Sequence, residues 1–243
     1  MSTPDARKVA VVTGGVKRLG GQLSQRMAAR GYEVIAVYRS SADAAHALVD
    51  AIAAAGGTAR ALKLDVADKH AVAAAFAGIA GAEGRVDLLV NNVGNYNPQD
   101  VTALDPDVWD ATIGANLSGA YYCCYGALGL MPDGGNIINI GMAGLEGIRA
   151  NRRGTDYYVS KTGLLVLTRA LAAACAERQI RVNMVSPGQL DNSVDLPPPD
   201  EITRWVPLGR SGTLDDIAQA VDYLLDAPYV TGVNIDVAGG YRL

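Results

Sequence analysis

The stretch Lys8–Gly21, KVAVVTGGVKRLGG, decides the fold: a short apolar run closes in glycine, and LGGQLSQRMAARGY after it has helical spacing. Glycines at such a junction let the backbone turn tightly and approach a pyrophosphate, whose charge a helix N-terminus favours. A glycine turn alone is ordinary. This one is also not G-x-G-x-x-G, because its glycines are Gly14, Gly15 and Gly20, with Arg18 between them. Its meaning comes from its place as the first strand-to-helix turn of a chain that goes on alternating.

The alternation continues with YEVIAVY, a helix over Asp43–Ala55, ARALKLDV, a helix over Lys69–Ile79, and RVDLLVNN. A long helical stretch near Val108–Leu130 follows, then GNIINI, a helix from Tyr157 to about Glu177, IRVNMVS and GVNIDVAGG. Apolar runs separated by helix-length segments indicate parallel βαβ units with both sheet faces covered. The expected fold is α/β, a Rossmann-type doubly wound parallel sheet of seven strands with helices on both faces. It forms one domain over residues 1–243. One stretch stands apart: DNSVDLPPPDEITRW carries Pro197–Pro199 and follows a strand end directly, so residues 191–206 read as a substrate lid.

Bulk properties narrow the function. A net charge of -4 without a basic block gives no footprint for nucleic acid. No apolar run reaches the roughly 20 residues that a membrane helix needs. The N-terminal MSTPDARK lacks the apolar region of a secretory signal. Cys123, Cys124 and Cys175 lie in helix-like segments and read as buried reduced thiols, so the expected compartment is the cytoplasm. His46 and His70 have no ligand-spaced partners, and no metal is expected.

The end of the second strand selects the cofactor. An NAD-preferring fold places an acid there for the ribose hydroxyls, whereas a 2′-phosphate calls for arginine. Here the strand ends in Tyr38, Arg39, Ser40 and Ser41. With Lys17 and Arg18 in the first turn, two cationic clusters converge on a phosphate, and guanidinium planes suit its oxygens. The expected cofactor is NADP(H).

A second constellation, YYVSK, sets Tyr157 and Lys161 four apart on one helix face. A phenol with a pKa of about 10 exchanges protons poorly near neutrality. A nearby ammonium lowers that pKa and makes the tyrosine a plausible acid.

With these pieces in order, the chain resembles the short-chain dehydrogenase/reductase family over nearly its whole length. TGGVKRLG resembles the family's cofactor turn, with Gly14, Lys17, Arg18, Leu19 and Gly20. LDV resembles the adenine-contacting segment, with Asp65 and Val66. NNVG resembles the NNAG strand end, with Asn92 and Gly94, and ANLSGAY holds the helix asparagine, Asn116. YYVSK resembles YxxxK, and VSPGQL resembles the PG turn at Pro187 and Gly188.

The resemblance implies roles. Tyr157 donates a proton to the group being reduced. Lys161 holds the nicotinamide ribose and lowers the tyrosine pKa, and Asn116 positions a water linking the lysine to solvent. The substrate is a small molecule, and the chain is a homo-oligomer, a tetramer or a dimer, assembled through its two long helices.

The departures bear on chemistry. The family's substrate-binding serine follows the INI strand, where this chain has Gly141 and Met142. Arg18 replaces a glycine of the usual turn, and Ala238 replaces an acid near the C-terminus. Asn192 or Ser193 stands where a threonine often touches the carboxamide. An arginine in the turn, RS after the second strand and the GGYRL ending resemble the pteridine reductase branch, although that branch carries an aspartate where Met142 stands.

Carbonyl reduction builds charge on oxygen, and a lost donor there costs on the order of 10²–10³ in rate. An iminium arrives already positive and needs such a donor less. The expected reaction is therefore hydride transfer to a cyclic C=N substrate of imine, iminium or pterin type. A ketone reductase with a donor from Thr155, Asn192, Ser193 or a backbone N–H is the alternative, and a non-catalytic NADP-binding sensor or structural subunit is a third. The expected substrate pocket holds Gly141, Met142, Asp156, Asn192 and Trp205. ANRRGTD, Ala150–Asp156, offers a second wall of the pocket where Arg152 and Arg153 would attract an anionic group, although solvated loop charge is the reading favoured for them.

Overall fold

The computed structural model describes residues 7–147, 150–191, 193, 198 and 201–241, with only the backbone of Thr203. Seven strands form one sheet: β1 (Val9–Val12), β2 (Glu33–Tyr38), β3 (Thr58–Lys63), β4 (Leu88–Asn91), β5 (Asn136–Ile140), β6 (Arg181–Pro187) and β7 (Asn234–Val237). Their order is β3-β2-β1-β4-β5-β6-β7, and every pairing is parallel. All seven strands expected from the sequence are present.

Alternation along β1 explains why the strands read as unbroken apolar runs. Val9 and Val11 enter a core layer with Phe76, Cys123 and Cys124, whereas Ala10 and Val12 face the opposite layer with Leu23, Ile52 and Ile217. The first layer lies under α3 (Lys69–Ala82) and α5 (Gly119–Leu128). The second lies under α1 (Arg18–Ala29), α2 (Ala42–Ala54) and α8 (Leu214–Asp226). The three cysteines are free and buried; burial pushes the Cys124 thiol up to about 12 and raises that of Cys123 as well.

Local chemistry fixes the helix starts. Asp68 caps α3 by accepting from the backbone N–H groups of His70 and Ala71. Asp105 caps α4 (Pro106–Ile113), with Pro106 in the first turn, where its missing N–H costs nothing. The long helical stretch is not uniform: Gly114–Ser118, between α4 and α5, is a π-helical segment that periodicity did not foretell. Two helices had no place in the sequence reading: α8, and the short α7 (Ile202–Trp205) inside the expected lid. The last long helix, α6, spans Thr155–Ala174.

Strand order reverses between β1 and β4, the crevice where open α/β sheets bind ligands beyond their strand ends. Among the described residues no helix is long and apolar enough to cross a membrane, and no cluster of metal-ligating side chains occurs.

Candidate active site

The turn after β1 is held by Asn92 at the end of β4. Its side-chain amide donates to the carbonyls of Thr13 and Gly14 at 3.0 and 3.3 Å, and its backbone N–H donates to the Thr13 hydroxyl at 2.9 Å. Gly20 is required there, because a Cβ would sit 2.1 Å from the Gly14 carbonyl oxygen. Arg18 adopts φ 49°, the left-handed region, which explains why a glycine is usual at this position. A non-glycine residue there costs on the order of 1–3 kcal/mol.

Beyond this turn lie two cavities. One, of about 240 Å³, is lined by Gly14, Lys17, Tyr38, Arg39, Ser40 and Asp65, with Ser41 and Val66 beside them. It joins the first-turn lysine to the residues that close β2, as the sequence predicted. Arg39 lies 3.9 Å from Asp65, and both are exposed enough to re-aim toward a ligand. Arg18 departs from the expectation: it lines the second cavity instead, because its left-handed turn separates it from Lys17. Leu19 is a core residue at the start of α1.

The second cavity, of about 520 Å³, contains Tyr157, with Pro187 and Gly188 from the end of β6. Tyr157 and Lys161 sit on α6 as expected. The Lys161 ammonium is 5.7 Å from the centre of the Tyr157 ring and donates to the Ile140 carbonyl at 2.7 Å. Gly94 keeps the space open, since a Cβ there would come within 3.4 Å of the Lys161 Nζ. Complete burial lowers the Lys161 pKa from 10.5 to about 8. Asn116 lies in the π-helical segment. Its Oδ1 accepts from the Asn95 N–H at 2.7 Å, and its amide donates to the Asn95 carbonyl and the Ser160 hydroxyl. A π-bulge at such a point re-aims helical groups inward.

Position by position, the expected substrate pocket needs correction. Met142 lines the cavity, but Gly141 does not: a Cβ at Gly141 would lie 2.3 Å from the Ser186 Oγ, so the strand end is packed solid there. The side chain standing where the family has its serine is therefore a thioether. Asp156 is fully buried beside Ser160 on the inner face of α6, away from the cavity lining, and neither carboxylate oxygen has a hydrogen-bond partner among the described residues. Trp205 is exposed and also lies outside the lining, because α7 turns Ile202 inward, with Val206 following it into the core. Asn192 falls outside the described residues.

Of the proposed serine substitutes, Thr155 spends its hydroxyl on the Asn151 carbonyl at 2.6 Å. Ser193 lines the cavity, and its oxygen accepts from the Leu190 N–H, leaving its proton to donate. Asn151 and Arg153, from the expected second wall over residues 150–156, line the cavity, and so do Tyr96, Gln189 and Tyr241, which were missed. Only Tyr96 carried a signal, as an aromatic two residues past the NNVG strand end. Its ring meets that of Tyr157 edge-on at 5.1 Å.

A glycine turn at a sheet switch point, a cationic cavity beside it and a half-buried tyrosine backed by a buried lysine define a dinucleotide-dependent oxidoreductase. Comparison with known proteins agrees. A family model described as Enoyl-(Acyl carrier protein) reductase matches residues 15–242. A 3-oxoacyl-[acyl-carrier-protein] reductase of Bos taurus is 36% identical over 239 residues, covering 97% of this chain and 98% of the relative. A solved blue fluorescent protein from a metagenomic library, in complex with NADPH, is 36% identical with a TM-score of 0.89, covering 97% of this chain and 98% of that one. A short-chain dehydrogenase/reductase from Serratia marcescens is 33% identical with a TM-score of 0.91, over the same shares of the two chains. The chain belongs to the short-chain dehydrogenase/reductase family. It is an NADP-dependent oxidoreductase, and Lys17, Arg39, Ser40 and Ser41 around one cavity fit the charge and hydrogen-bonding needs of a 2′-phosphate.

Proposed function

We propose that the chain reduces a carbonyl group on a small molecule, with Tyr157 as the proton donor. The observation that carries this reading is Tyr157 in a 520 Å³ cavity, backed by the buried Lys161 ammonium at 5.7 Å. Cavities of roughly 300–1,000 Å³ are the usual size of small-molecule sites. The 3-oxoacyl reductase activity named for the bovine relative supports C=O over the C=N bond that the sequence alone favoured.

Bound NADPH supplies the hydride. Gly14, Lys17, Gly20, Arg39 and Ser40 would hold the nucleotide end, with Asp65 and Val66 at the adenine and Gly94, Pro187 and Gly188 at the nicotinamide end. Lys161 favours the phenolate that Tyr157 becomes after giving its proton to the substrate oxygen. Both amide hydrogens of Asn116 are engaged, so its part in proton supply falls to its main-chain carbonyl. Ser193, a lining residue whose hydroxyl proton is left to donate, would supply the second donor. The chain would work as one domain with 191–206 as its lid, a segment of which residues 192, 194–197, 199 and 200 lie outside the described residues.

A second reading, C=N reduction, is favoured by Met142, which offers no hydrogen bond to a developing oxyanion. NADPH absorbance followed against matched ketone and cyclic imine panels separates the two, using wild type and Tyr157→Phe. Ketone turnover that falls at least about 100-fold in Tyr157→Phe is the expected result. Imine turnover without ketone turnover would replace it with the second reading.

A further inference from the structure

The segment entering α6 puts an arginine on the substrate cavity and then neutralises its neighbour instead. Arg152 pairs with Asp100, whose other carboxylate oxygen accepts from the backbone N–H and hydroxyl of Thr102. Both Asp100 oxygens thus have partners, and Arg153 acts on the carboxylate only at longer range, as a further charge that lowers its pKa. Arg153 has a single long hydrogen bond, 3.4 Å, from its Nε to the Pro98 carbonyl, and makes no ion pair among the described residues. Arg153 lines the cavity that holds Tyr157.

The backbone fixes this placement. Arg153 bridges antiparallel to Asp100, Val101 donates to the Arg152 carbonyl at 2.9 Å, and Gly154 donates to the Gln99 carbonyl at 3.0 Å. Gly154 then turns into the helix at φ +73°, with Tyr96 against it so closely that a Cβ would lie 2.9 Å from the ring. The arginine is therefore anchored on both sides. Arg18 is the other cation on the cavity, and no Asp or Glu stands among its described lining residues. An arginine on a lining without a carboxylate among its described residues attracts an anion, and a guanidinium fork matches a carboxylate with two parallel hydrogen bonds.

We propose that Arg153 selects small carbonyl compounds that carry a carboxylate, pairing with that group while the reacting carbonyl faces Tyr157. This rests on the carbonyl reading for the reaction itself. The carboxylate is unchanged: the carbonyl carbon gains a hydride from NADPH, its oxygen gains the Tyr157 proton, and a hydroxy acid and NADP⁺ are the products.

The test does not depend on turnover. Benzoate and benzamide, with two larger acid–amide pairs, are titrated into the NADPH-loaded protein and binding is read from calorimetry and from the fluorescence of bound NADPH. The expected result is acids binding at least about tenfold tighter than amides, the gap narrowing with salt. Arg153→Gln should erase the gap and Arg153→Lys restore part of it, with NADPH affinity unchanged in both. Equal or undetectable binding of acids and amides, or a gap that survives Arg153→Gln, overturns the proposal. A preserved acid preference with no reduction of any oxo acid would instead sink the carbonyl reading alone.

Discussion

Lys161 is the residue at which function and stability pull apart. Its ammonium is fully buried and donates to the Ile140 carbonyl, and burial lowers its pKa to about 8. Tyr157 needs the charged form, so kcat/KM for reduction should fade as pH rises through about 8, in a profile measured at saturating NADPH. Stability should move the other way. Between about 8 and 10.5 the unfolded chain binds the proton that the folded chain has released, so stability rises with pH across that window. Lys161→Met should abolish NADPH oxidation yet stabilise the fold by on the order of 1–3 kcal/mol, read as a higher Tm. A lower Tm would mean that the Ile140 hydrogen bond outweighs desolvation. The pair itself was legible in the sequence, because a helix fixes the geometry of residues four apart. Asp156 and Trp205 were misplaced for the converse reason: which face of a helix turns inward is settled by tertiary packing, and adjacency to Tyr157 in sequence says nothing about it.

At the scale of elements, strands were legible and helix details were not. Each central strand is buried on both faces and so reads as an apolar run, whereas a change from i→i+4 to i→i+5 bonding at Gly114–Ser118 leaves no mark on composition. The cavity walls come from loops after several different strands, and no periodicity links Tyr96, Asn151, Gln189 and Tyr241. Helix α8 did have a signal, the T-x-x-D of Thr213 and Asp216, which the structure shows as a reciprocal capping box. Arg210 and the Thr213 backbone hold the Asp216 carboxyl well below the usual range, and Arg30 lowers that of Asp226 at the other end of the helix. Depressed carboxyls stabilise the fold above their unfolded pKa, and that contribution is lost as pH falls through the folded values. Thr213→Ala should cost about 1 kcal/mol in chemical unfolding. Its kcat should be unchanged, because α8 caps the sheet face away from Tyr157; a drop in kcat would show that α8 also positions the catalytic end.

The whole molecule leaves apolar surface that a single copy does not bury. On α5, Tyr121 and Tyr125 are 47% and 76% exposed, and on α6, Val159 and Val166 are 40% and 65% exposed. A groove of about 870 Å³ runs between α3 and α5, bordered by Phe76, Tyr121 and Tyr125. Single exposed apolar residues are commonplace, but four of them on two helices, with an apolar groove beside one, mark a candidate interaction face. The helices expected to assemble the oligomer are the ones that carry it, and an isologous contact would place the same patch on both copies. Light scattering after size exclusion should therefore give a multiple of the 25.3 kDa chain mass. The double variant Tyr125→Glu/Val166→Glu should shift toward the single-chain mass, because opposing like charges would be desolvated together at the contact. Since association stabilises only the folded chain, wild-type Tm should rise with protein concentration while that of the double variant stays flat. A wild type that elutes at the single-chain mass at every concentration would remove the interface. The exposed tyrosines would then need a different partner to explain them.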